Sequence, residues 1–456
     1  MSTIAASQDR ELRRKRADAT RAGGIGNFIE FFDFSLYGFF AVMISQLFFP
    51  TISPVAALLA TFAVYGGSFI MRPVGAIVFG HVADRVGRRR ALVIAVILMS
   101  LATTLIGLLP TYEQIGVAAP ALLLLCRLTQ AFSAGGEQSG AYVLVIEHSP
   151  VKQRGRNGSW LVVCVMGGVV SGILLSLLME SITTAEQMAA WGWRVPFLVA
   201  APLGLLGLYL RLKLQESDAF KAAAARVEMS EKRHIPLVQA FRTVKKEMLV
   251  LFGWVALVSL SGYILIGFMV TLLVKFEGYE MPAALGIMAI GFLLGIPAVL
   301  AICRWSDRVS RKTFAGLNAA ALVVWAIPAL MLIGQGPVAA AVAITGWIII
   351  MYPMNLVAGF AVVELFPVDV RASASALPYQ LAFAVFGGSA PYVATWLTSS
   401  FSSMAVAYYV TIVGVVGLFV AMFGLPNARE MAVISTDVDK DIAELDDAEK
   451  EKAAVR

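Results

Sequence analysis

The chain has 456 residues, of which 59% are hydrophobic and only 14% are charged, and its formal net charge is +6. Soluble domains carry roughly 25% charged residues, so this composition excludes an ordinary soluble enzyme and indicates a membrane protein. The positive charge does not predict a nucleic-acid partner, because the basic residues concentrate in short segments between apolar blocks. The three cysteines have the spacing of neither a metal site nor a disulfide framework.

The apolar residues form twelve blocks, and each is long enough for a helix to cross a bilayer core of roughly 30 Å. The first six predicted spans cover residues 22–48, 56–82, 91–110, 119–146, 158–180 and 190–212. The second six cover residues 248–275, 283–304, 313–333, 338–364, 373–400 and 404–425. The pattern therefore predicts an all-α polytopic membrane protein with twelve transmembrane helices.

A charged stretch separates the two sets of spans and predicts a linker. The predicted organisation is a basic N-terminus at residues 1–21, a six-helix bundle at 22–214, a linker at 215–247, a second six-helix bundle at 248–425 and a charged tail at 426–456. The first apolar block contains two acidic residues and is too long for the apolar core of a signal peptide. We therefore interpret it as the first membrane helix.

Lys and Arg are distributed unequally between the two sides of the predicted membrane. The loops that follow even-numbered spans carry basic clusters, and the linker is also basic, whereas the opposite loops carry few basic residues and several glutamates. Cytoplasmic loops of membrane proteins are enriched in Lys and Arg. We therefore predict a multi-pass protein of the cytoplasmic (inner) membrane with both termini in the cytoplasm.

Two short patterns occur in both halves of the chain. Asp84-Arg85 follows the second span, and Asp307-Arg308 follows the eighth span 223 residues later. Glu147 follows the fourth span, and Glu364 follows the tenth 217 residues later, each with a proline three residues on and an arginine seven residues on. Two ordered matches at similar offsets indicate duplication of a six-span unit. Such duplicated halves are typical of transporters, with the substrate site between the halves.

The segment Gly-His-Val-Ala-Asp-Arg-Val-Gly-Arg-Arg-Arg at residues 80–90 resembles the loop signature of the major facilitator superfamily. Within it the chain resembles the metabolite:proton symporter family, whose members transport α-ketoglutarate, citrate, shikimate, proline or betaine. The segments that carry this resemblance lie at residues 26–34, 71–75, 127–137, 191–197, 364–367 and 386–392. The resemblance implies two pseudo-symmetric six-helix bundles and transport driven by a proton gradient, without a cofactor. The chain departs from it in the second-half loop, which has Ser310 where the first half has Gly87.

Glu30 and Asp33 are the acidic residues of the first span, and with Tyr37 they lie on one side of that helix. A charged group inside a membrane costs about 2.5 kcal/mol or more and is therefore a candidate for function. We predict that Asp33 or Glu30 accepts the transported proton, because burial disfavours the charged form of a carboxylate. The alternative is an ion pair with Arg72 or Arg127 that only fixes helix packing.

Arg127 in the fourth span is the candidate for binding an anionic group of the substrate, because a guanidinium offers paired donors to a carboxylate. The other predicted substrate-binding residues are Glu137, Asn27, Tyr37, Gln130, Tyr379 and Gln380. Each of these polar side chains is also compatible with simple helix–helix contact. Arg72 lies closer to the cytoplasmic end of its span, where its side chain can extend to the membrane surface.

The basic loops on the cytoplasmic side predict a gate, since charged residues there can pair in one state and separate in another. The predicted gating residues of the first half are Asp84, Arg85, Gly87, Arg88, Arg89, Glu147 and Arg154. Those of the second half are Asp307, Arg308, Glu364 and Arg371. The alternative is that these residues only control the topology of the chain.

The leading interpretation is a proton-coupled secondary transporter that imports a small organic anion of the mono-, di- or tricarboxylate class. One alternative is proton symport of a zwitterionic osmolyte such as proline or betaine, and another is a transporter-like membrane sensor. No phosphate-binding loop of the Walker type occurs, so the sequence does not favour ATP-driven transport. The expected partners are the substrate, protons and the lipid bilayer. We expect a monomer that is not an enzyme and uses no metal, cofactor or nucleic acid.

Overall fold

The computed structural model describes residues 23–86, 88–136, 142, 145–146, 149, 153–212, 244–366 and 371–426, without the side chains of residues 83–89 and 372–373. All regular secondary structure in these ranges is helical. Ten of their helices are long and apolar enough to cross a membrane, and a bent pair forms an eleventh span. The apolar helix Ala118–Ala134 is shorter and lies in the position of the fourth span. The all-α prediction with twelve helices is confirmed.

The helices of the first half are α1 (Gly23–Phe39 continued by Ala41–Phe48 after a bend of 62°), α2 (Pro54–Val82), α3 (Arg90–Leu108), α4 (Ala118–Ala134), α5 (Arg154–Ile182) and α6 (Ala185–Leu212). Those of the second half are α7 (Lys245–Phe276), α8 (Met281–Trp305), α9 (Arg311–Ile333), α10 (Pro337–Glu364), α11 (Ala374–Ser400) and α12 (Ser403–Gly424). Each lies close to its predicted span, except that most of the predicted continuation of α4 to residue 146 lies outside the described residues. The predicted N-terminal segment, most of the linker and nearly all of the tail also lie outside them.

Two helix starts show how the sequence sets the ends of the spans. The Ser53 hydroxyl accepts a hydrogen bond from the Ala56 N–H at 3.4 Å, and Pro54 occupies the first turn of α2. The Ser310 hydroxyl accepts a hydrogen bond from the Thr313 N–H at 3.1 Å at the start of α9. The serine that replaces glycine in the second-half loop is therefore a helix cap.

Turns of π-helix occur in three described helices of the second half. They lie at Ile264–Phe268 and Leu272–Phe276 in α7, at Phe383–Gly387 in α11 and at Val420–Gly424 in α12. Such turns are rare and often accompany functional sites. Here Tyr263 directly precedes the first π turn of α7 and Phe383 begins the π turn of α11, and their rings pack edge to face with centroids 5.9 Å apart. The irregular turns thus accompany two aromatic side chains of the interior.

The first six helices contact the last six along several lines. α2 packs against α11, and α5 packs against α8 and α10. Since α2 corresponds to α8 and α5 to α11 in the sequence repeat, the α2–α11 and α5–α8 contacts are counterparts. One close approach is between Gly66 of α2 and Gly388 of α11, where the Gly388 carbonyl occupies the place that a Cβ on Gly66 would need.

α7 and α10 are strongly enclosed helices. Their apolar windows are 89% and 78% buried, whereas those of α6 and α12 are 33% buried. The outward faces of α6 and α12 carry exposed apolar side chains such as Leu205 and Phe423, as expected for helices that contact lipid. α7 and α10 therefore form part of the wall around the interior that contains the buried polar residues.

Candidate functional site

A buried ion pair joins α1 to α2. Glu30 Oε1 lies 3.1 Å from Arg72 Nη2, and the two side chains are 1% and 0% exposed. The same Arg72 nitrogen donates a hydrogen bond to the Tyr263 hydroxyl of α7 at 3.1 Å, which extends the contact to the second half. Arg72 therefore does not extend to the membrane surface, because its ion-pair and hydrogen-bond partners, Glu30 and Tyr263, lie inside the bundle.

A chain of hydrogen bonds links Arg127 of α4 to Asp33 of α1. Arg127 Nη1 donates to Gln130 Oε1 at 2.9 Å, and Gln130 Nε2 donates to the Thr103 hydroxyl at 2.5 Å. The Thr103 hydroxyl lies 2.8 Å from Asp33 Oδ2 and 2.9 Å from the Met99 carbonyl. Because a hydroxyl has a single proton, Thr103 donates to only one of these acceptors at a time. A charged Asp33 favours the carboxylate as that acceptor.

Arg127 is fully buried among aromatic rings. Its guanidinium carbon lies 4.6 Å from the ring centroids of Tyr37 and Tyr65 and 4.8 Å from that of Phe34. Its Nε and Nη2 have no hydrogen-bond acceptor in the described part of the chain. These two nitrogens share one edge of the guanidinium, which is an arrangement that binds both oxygens of a carboxylate. A buried donor without an acceptor costs about 1–3 kcal/mol, so this edge is a candidate contact for a ligand.

Two predicted substrate-binding residues bind the backbone of neighbouring helices. The Tyr37 hydroxyl donates to the Thr61 carbonyl of α2 at 3.1 Å. Gln380 Nε2 of α11 donates to the Gly135 carbonyl, just after α4, at 2.9 Å and so crosses between the halves. Both residues hold helices together in this arrangement.

Other polar groups of the interior have no hydrogen-bond partner among the described residues. They include the Asn27 amide and the hydroxyls of Tyr65 and Tyr379, all on fully buried side chains. Buried polar groups are normally satisfied, so these three groups, on α1, α2 and α11, are candidate contacts for a polar ligand or water. Glu137, the remaining predicted substrate-binding residue, lies outside the described residues.

Apart from Tyr37, sequence reasoning missed the aromatic side chains around the two buried guanidiniums. Tyr65, Phe69 and Arg72 are spaced four and three residues apart, which places them on one face of α2, and this signal could have identified them. Tyr263 and Phe383 belong to the second half, and the contact between them depends on tertiary packing that no local sequence pattern predicts.

The end of the bundle that carries the loops after α2, α4, α8 and α10 is called the basic end. There Asp307, just after α8, accepts hydrogen bonds from the backbone N–H groups of Gly155 at 2.7 Å and Arg156 at 2.9 Å. Both donors lie in the first turn of α5, where the helix dipole favours a negative charge. The contact therefore joins the second half to the first.

Glu364, the last residue of α10, makes a second contact at the basic end. Its Oε1 lies 3.0 Å from Arg154 Nη1 of α5, and its Oε2 lies 3.4 Å from Arg311 Nε of α9. Arg154 thus pairs across the halves, and sequence reasoning did not single out Arg311. Arg371 Nε donates to the Phe366 carbonyl at 3.2 Å, and Arg308 is exposed. The predicted gating residues that lie outside the described side chains are Asp84, Arg85, Gly87, Arg88, Arg89 and Glu147.

The space between the halves is narrow. A cavity lined by residues that include Phe31, Tyr263 and Phe383 has a volume of about 20 Å³, which is room for roughly one water molecule. The halves touch at the basic end and again where Gly66 meets Gly388. A small organic molecule can therefore enter only if the halves move apart.

The sequence profile described as Major Facilitator Superfamily matches residues 23–377. The glycine betaine/proline/ectoine/pipecolic acid transporter OusA of Dickeya dadantii (strain 3937) is 35% identical over 439 residues, which cover 93% of this chain and 86% of the relative. The proline/betaine transporter of Escherichia coli (strain K12) is 35% identical over 449 residues, which cover 96% of this chain and 88% of the relative. The xylose transporter XylE from E. coli, in a partially occluded inward-open conformation, has the same fold with a TM-score of 0.69 at 16% identity, over 91% of this chain and 99% of that one.

Proposed function

This chain belongs to the major facilitator superfamily, and from that premise we propose that it is a proton-coupled symporter for a small zwitterion of the proline and betaine type. It is a multi-pass membrane transporter and not an enzyme. The proposed substrate carries one carboxylate and one positively charged nitrogen. The proposed location is the cytoplasmic membrane, with the basic end on the cytoplasmic side.

The relatives support a zwitterion over the organic anion that the sequence first suggested. Glycine betaine, proline, ectoine and pipecolic acid, named for OusA, each combine a single carboxylate with a cationic nitrogen-containing group. Di- and tricarboxylates instead carry a net negative charge that needs several cationic partners inside the protein. The family resemblance alone includes both substrate types, so the choice between them depends on the site.

The observation that carries the proposal is the donor edge of Arg127. Its Nε and Nη2 are buried, parallel and without acceptors in the described residues, so they can bind one carboxylate with two charge-assisted hydrogen bonds. The charge of Arg72 is balanced by Glu30 at 3.1 Å. A second substrate carboxylate at Arg72 would have to disrupt that pair, which costs roughly 3–5 kcal/mol when a buried charge loses its partner. The site therefore favours a substrate with a single carboxylate.

Asp33 is the proposed proton acceptor. It shares a hydrogen-bonded network with Arg127 through Thr103 and Gln130. A proton on Asp33 removes a negative charge from that network and lets the Thr103 hydroxyl turn to the Met99 carbonyl. The positive charge of Arg127 then attracts the substrate carboxylate more strongly, so proton and substrate favour each other's binding by linkage. Glu30 is less suited to this role, because its pair with Arg72 stabilises its charged form.

Alternating access is proposed to involve opening and closing of the basic end. Asp307 on the start of α5 and the Arg154–Glu364 pair hold the halves together there. These contacts consist of a few hydrogen bonds and one ion pair, so they can break and form again during each cycle. Substrate release into the cytoplasm would require both to separate.

Uptake into liposomes that contain the purified protein tests the proposed function. An acidic exterior should drive accumulation of labelled glycine betaine or proline, and a protonophore should abolish it. Labelled succinate and citrate under the same gradient are the matched controls and should not accumulate. Accumulation of citrate in place of the zwitterions, or zwitterion uptake that ignores the pH gradient, would contradict the proposal.

A further inference from the structure

Aromatic rings surround both buried guanidiniums of the interior. The guanidinium carbon of Arg72 lies 4.5 Å from the ring centroids of Phe34 and Phe69 and 5.3 Å from that of Phe383. Arg127 has three such contacts of its own, and it shares the ring of Phe34. Cation–π contacts of this kind occur roughly once per 70–80 residues, so six on two neighbouring side chains describe a region built to hold positive charge.

The rings of this region come from both halves of the protein. Tyr65 and Phe69 belong to α2, Tyr263 to α7 and Phe383 to α11. The centroid of Tyr263 lies 6.0 Å from Tyr65, 5.1 Å from Phe69 and 5.9 Å from Phe383, and all three contacts are edge to face. These four residues are called the ring cluster.

Edge-to-face packing places the positive edge of one ring on the negative face of the next. In the closed arrangement, Tyr263 packs on Tyr65 and Phe69 of the other half, and Arg72 of the first half lies over the Phe383 ring of the second. When the halves separate, these contacts break and the ring faces that they cover become available. A cation that enters the space between the halves can replace the lost contacts.

We propose that the ring cluster is the subsite for the cationic nitrogen of the substrate, next to the Arg127 edge that binds the carboxylate. This inference rests on the proposed function and names the part of the site that selects the substrate. Ring faces attract a cation without needing an N–H group, so they accept a quaternary ammonium as well as a secondary one. Their negative faces repel a second carboxylate, which would disfavour dicarboxylates at this subsite.

Stepwise fluorination of Phe383 tests the proposal, because fluorine weakens the negative ring face while it leaves the shape of the ring nearly unchanged. Phenylalanine with one, two or three fluorine atoms would replace Phe383, and the KM for glycine betaine would be measured in liposomes under a fixed pH gradient. We expect the KM to rise at each step, to about thirtyfold with three fluorines, which corresponds to the loss of one desolvated cation–π contact of about 2 kcal/mol. Phe383→Leu should raise it at least as much.

Phe48, the last residue of α1, provides the matched control. It is also fully buried, and it packs edge to face on Trp193 with centroids 5.9 Å apart. The same fluorination there should leave the KM unchanged. A flat KM across the Phe383 series, with proton-driven betaine uptake intact, would overturn the ring cluster as the cation subsite and leave the proposed function standing. If no zwitterion is taken up by the wild-type protein, the proposed function fails, and the inference fails with it.

Discussion

At the scale of single residues, the interior combines charge with aromatic surface. Arg127 donates one hydrogen bond to Gln130 and keeps the donor edge opposite it without an acceptor among the described residues. Three rings cover the guanidinium, so water is largely excluded from it. A carboxylate that reaches this edge therefore meets a charge in a surrounding of low dielectric constant, where the attraction is strongest.

Replacement of Arg127 by Lys tests the role of the donor edge, because lysine keeps the charge but loses the pair of parallel donors. We expect the KM for glycine betaine to rise about tenfold or more, since a hydrogen bond to a charged group contributes about 1.5–3 kcal/mol. Arg194→Lys is the matched control, because Arg194 donates to the backbone carbonyls of Gly107 and Leu109 and lies over the Trp193 ring, with no other hydrogen bond among the described residues. Equal KM values in the two variants would exclude Arg127 from substrate binding.

The sequence was sufficient to single out the charged residues of the candidate site, because Glu30, Asp33 and Arg127 stand out in apolar spans. It did not identify which residues pair. Arg72 has a long side chain that is compatible with the membrane surface, and only the packing of α1 and α7 against α2 shows that it turns inward to Glu30 and Tyr263. Thr103 is an ordinary residue of a membrane helix in sequence, and its role follows from its position between Asp33 and Gln130.

At the scale of helices, span positions could be predicted because length and apolar content decide what crosses a membrane. The π turns of α7 and α11 could not, because no residue pattern in those segments distinguishes them from regular helix. Ser310 illustrates the opposite case, since it departs from the glycine of the first half and serves as the N-cap of α9. A feature can thus be predicted from the sequence where a side chain acts on the adjacent backbone. It cannot be predicted in this way where tertiary packing determines the local structure.

Asp307→Asn should weaken closure of the basic end, because it removes the negative charge from the start of α5. The readout is the labelling rate of Cys303, which is fully buried on α8 near this contact. We expect a thiol reagent to modify Cys303 up to about thirtyfold faster in the variant, since a charge at a helix end contributes up to about 2 kcal/mol. Glu280→Gln, at the other end of α8, should leave the rate unchanged, and an unchanged rate in Asp307→Asn itself would refute the gate.

Gly66→Ala should prevent the close approach of α2 and α11, because the added Cβ would occupy the place of the Gly388 carbonyl. We expect slower net transport, with Cys303 labelling at the basic end similar to that of the wild type. Gly67→Ala is the control, since a Cβ there meets no atom within 4 Å among the described residues. If both variants transport at the same rate, close contact between these helices is not required for the transport cycle.

At the scale of the whole molecule, the repeat in the sequence predicts two related halves, and the structure contains the contacts that such a relation requires. α2 meets α11, and α8 meets α5. The conformational state could not be predicted, because a single sequence has to encode every state of the transport cycle. The observed arrangement, with contacts at the basic end and a cavity of about 20 Å³, is a closed one.

Coupling is a property of the whole molecule, because the proton and the substrate bind different groups in the same network. If a proton on Asp33 strengthens substrate binding at Arg127, then a bound substrate strengthens proton binding by the same factor. Acidification should therefore tighten substrate binding as Asp33 takes up its proton, and the effect should level off once Asp33 is fully protonated. Asparagine at position 33 resembles the protonated carboxyl in shape and charge.

The most direct test is the affinity for glycine betaine as a function of pH in the wild-type protein and in Asp33→Asn, with exchange of labelled for unlabelled substrate as proof that the variant still binds. If Asp33 couples proton to substrate, we expect the affinity of the wild type to increase as the pH falls. The affinity of Asp33→Asn should be high and independent of pH. This variant should exchange substrate but should not accumulate it against a gradient. The same pH dependence in both proteins would contradict Asp33 as the coupling residue.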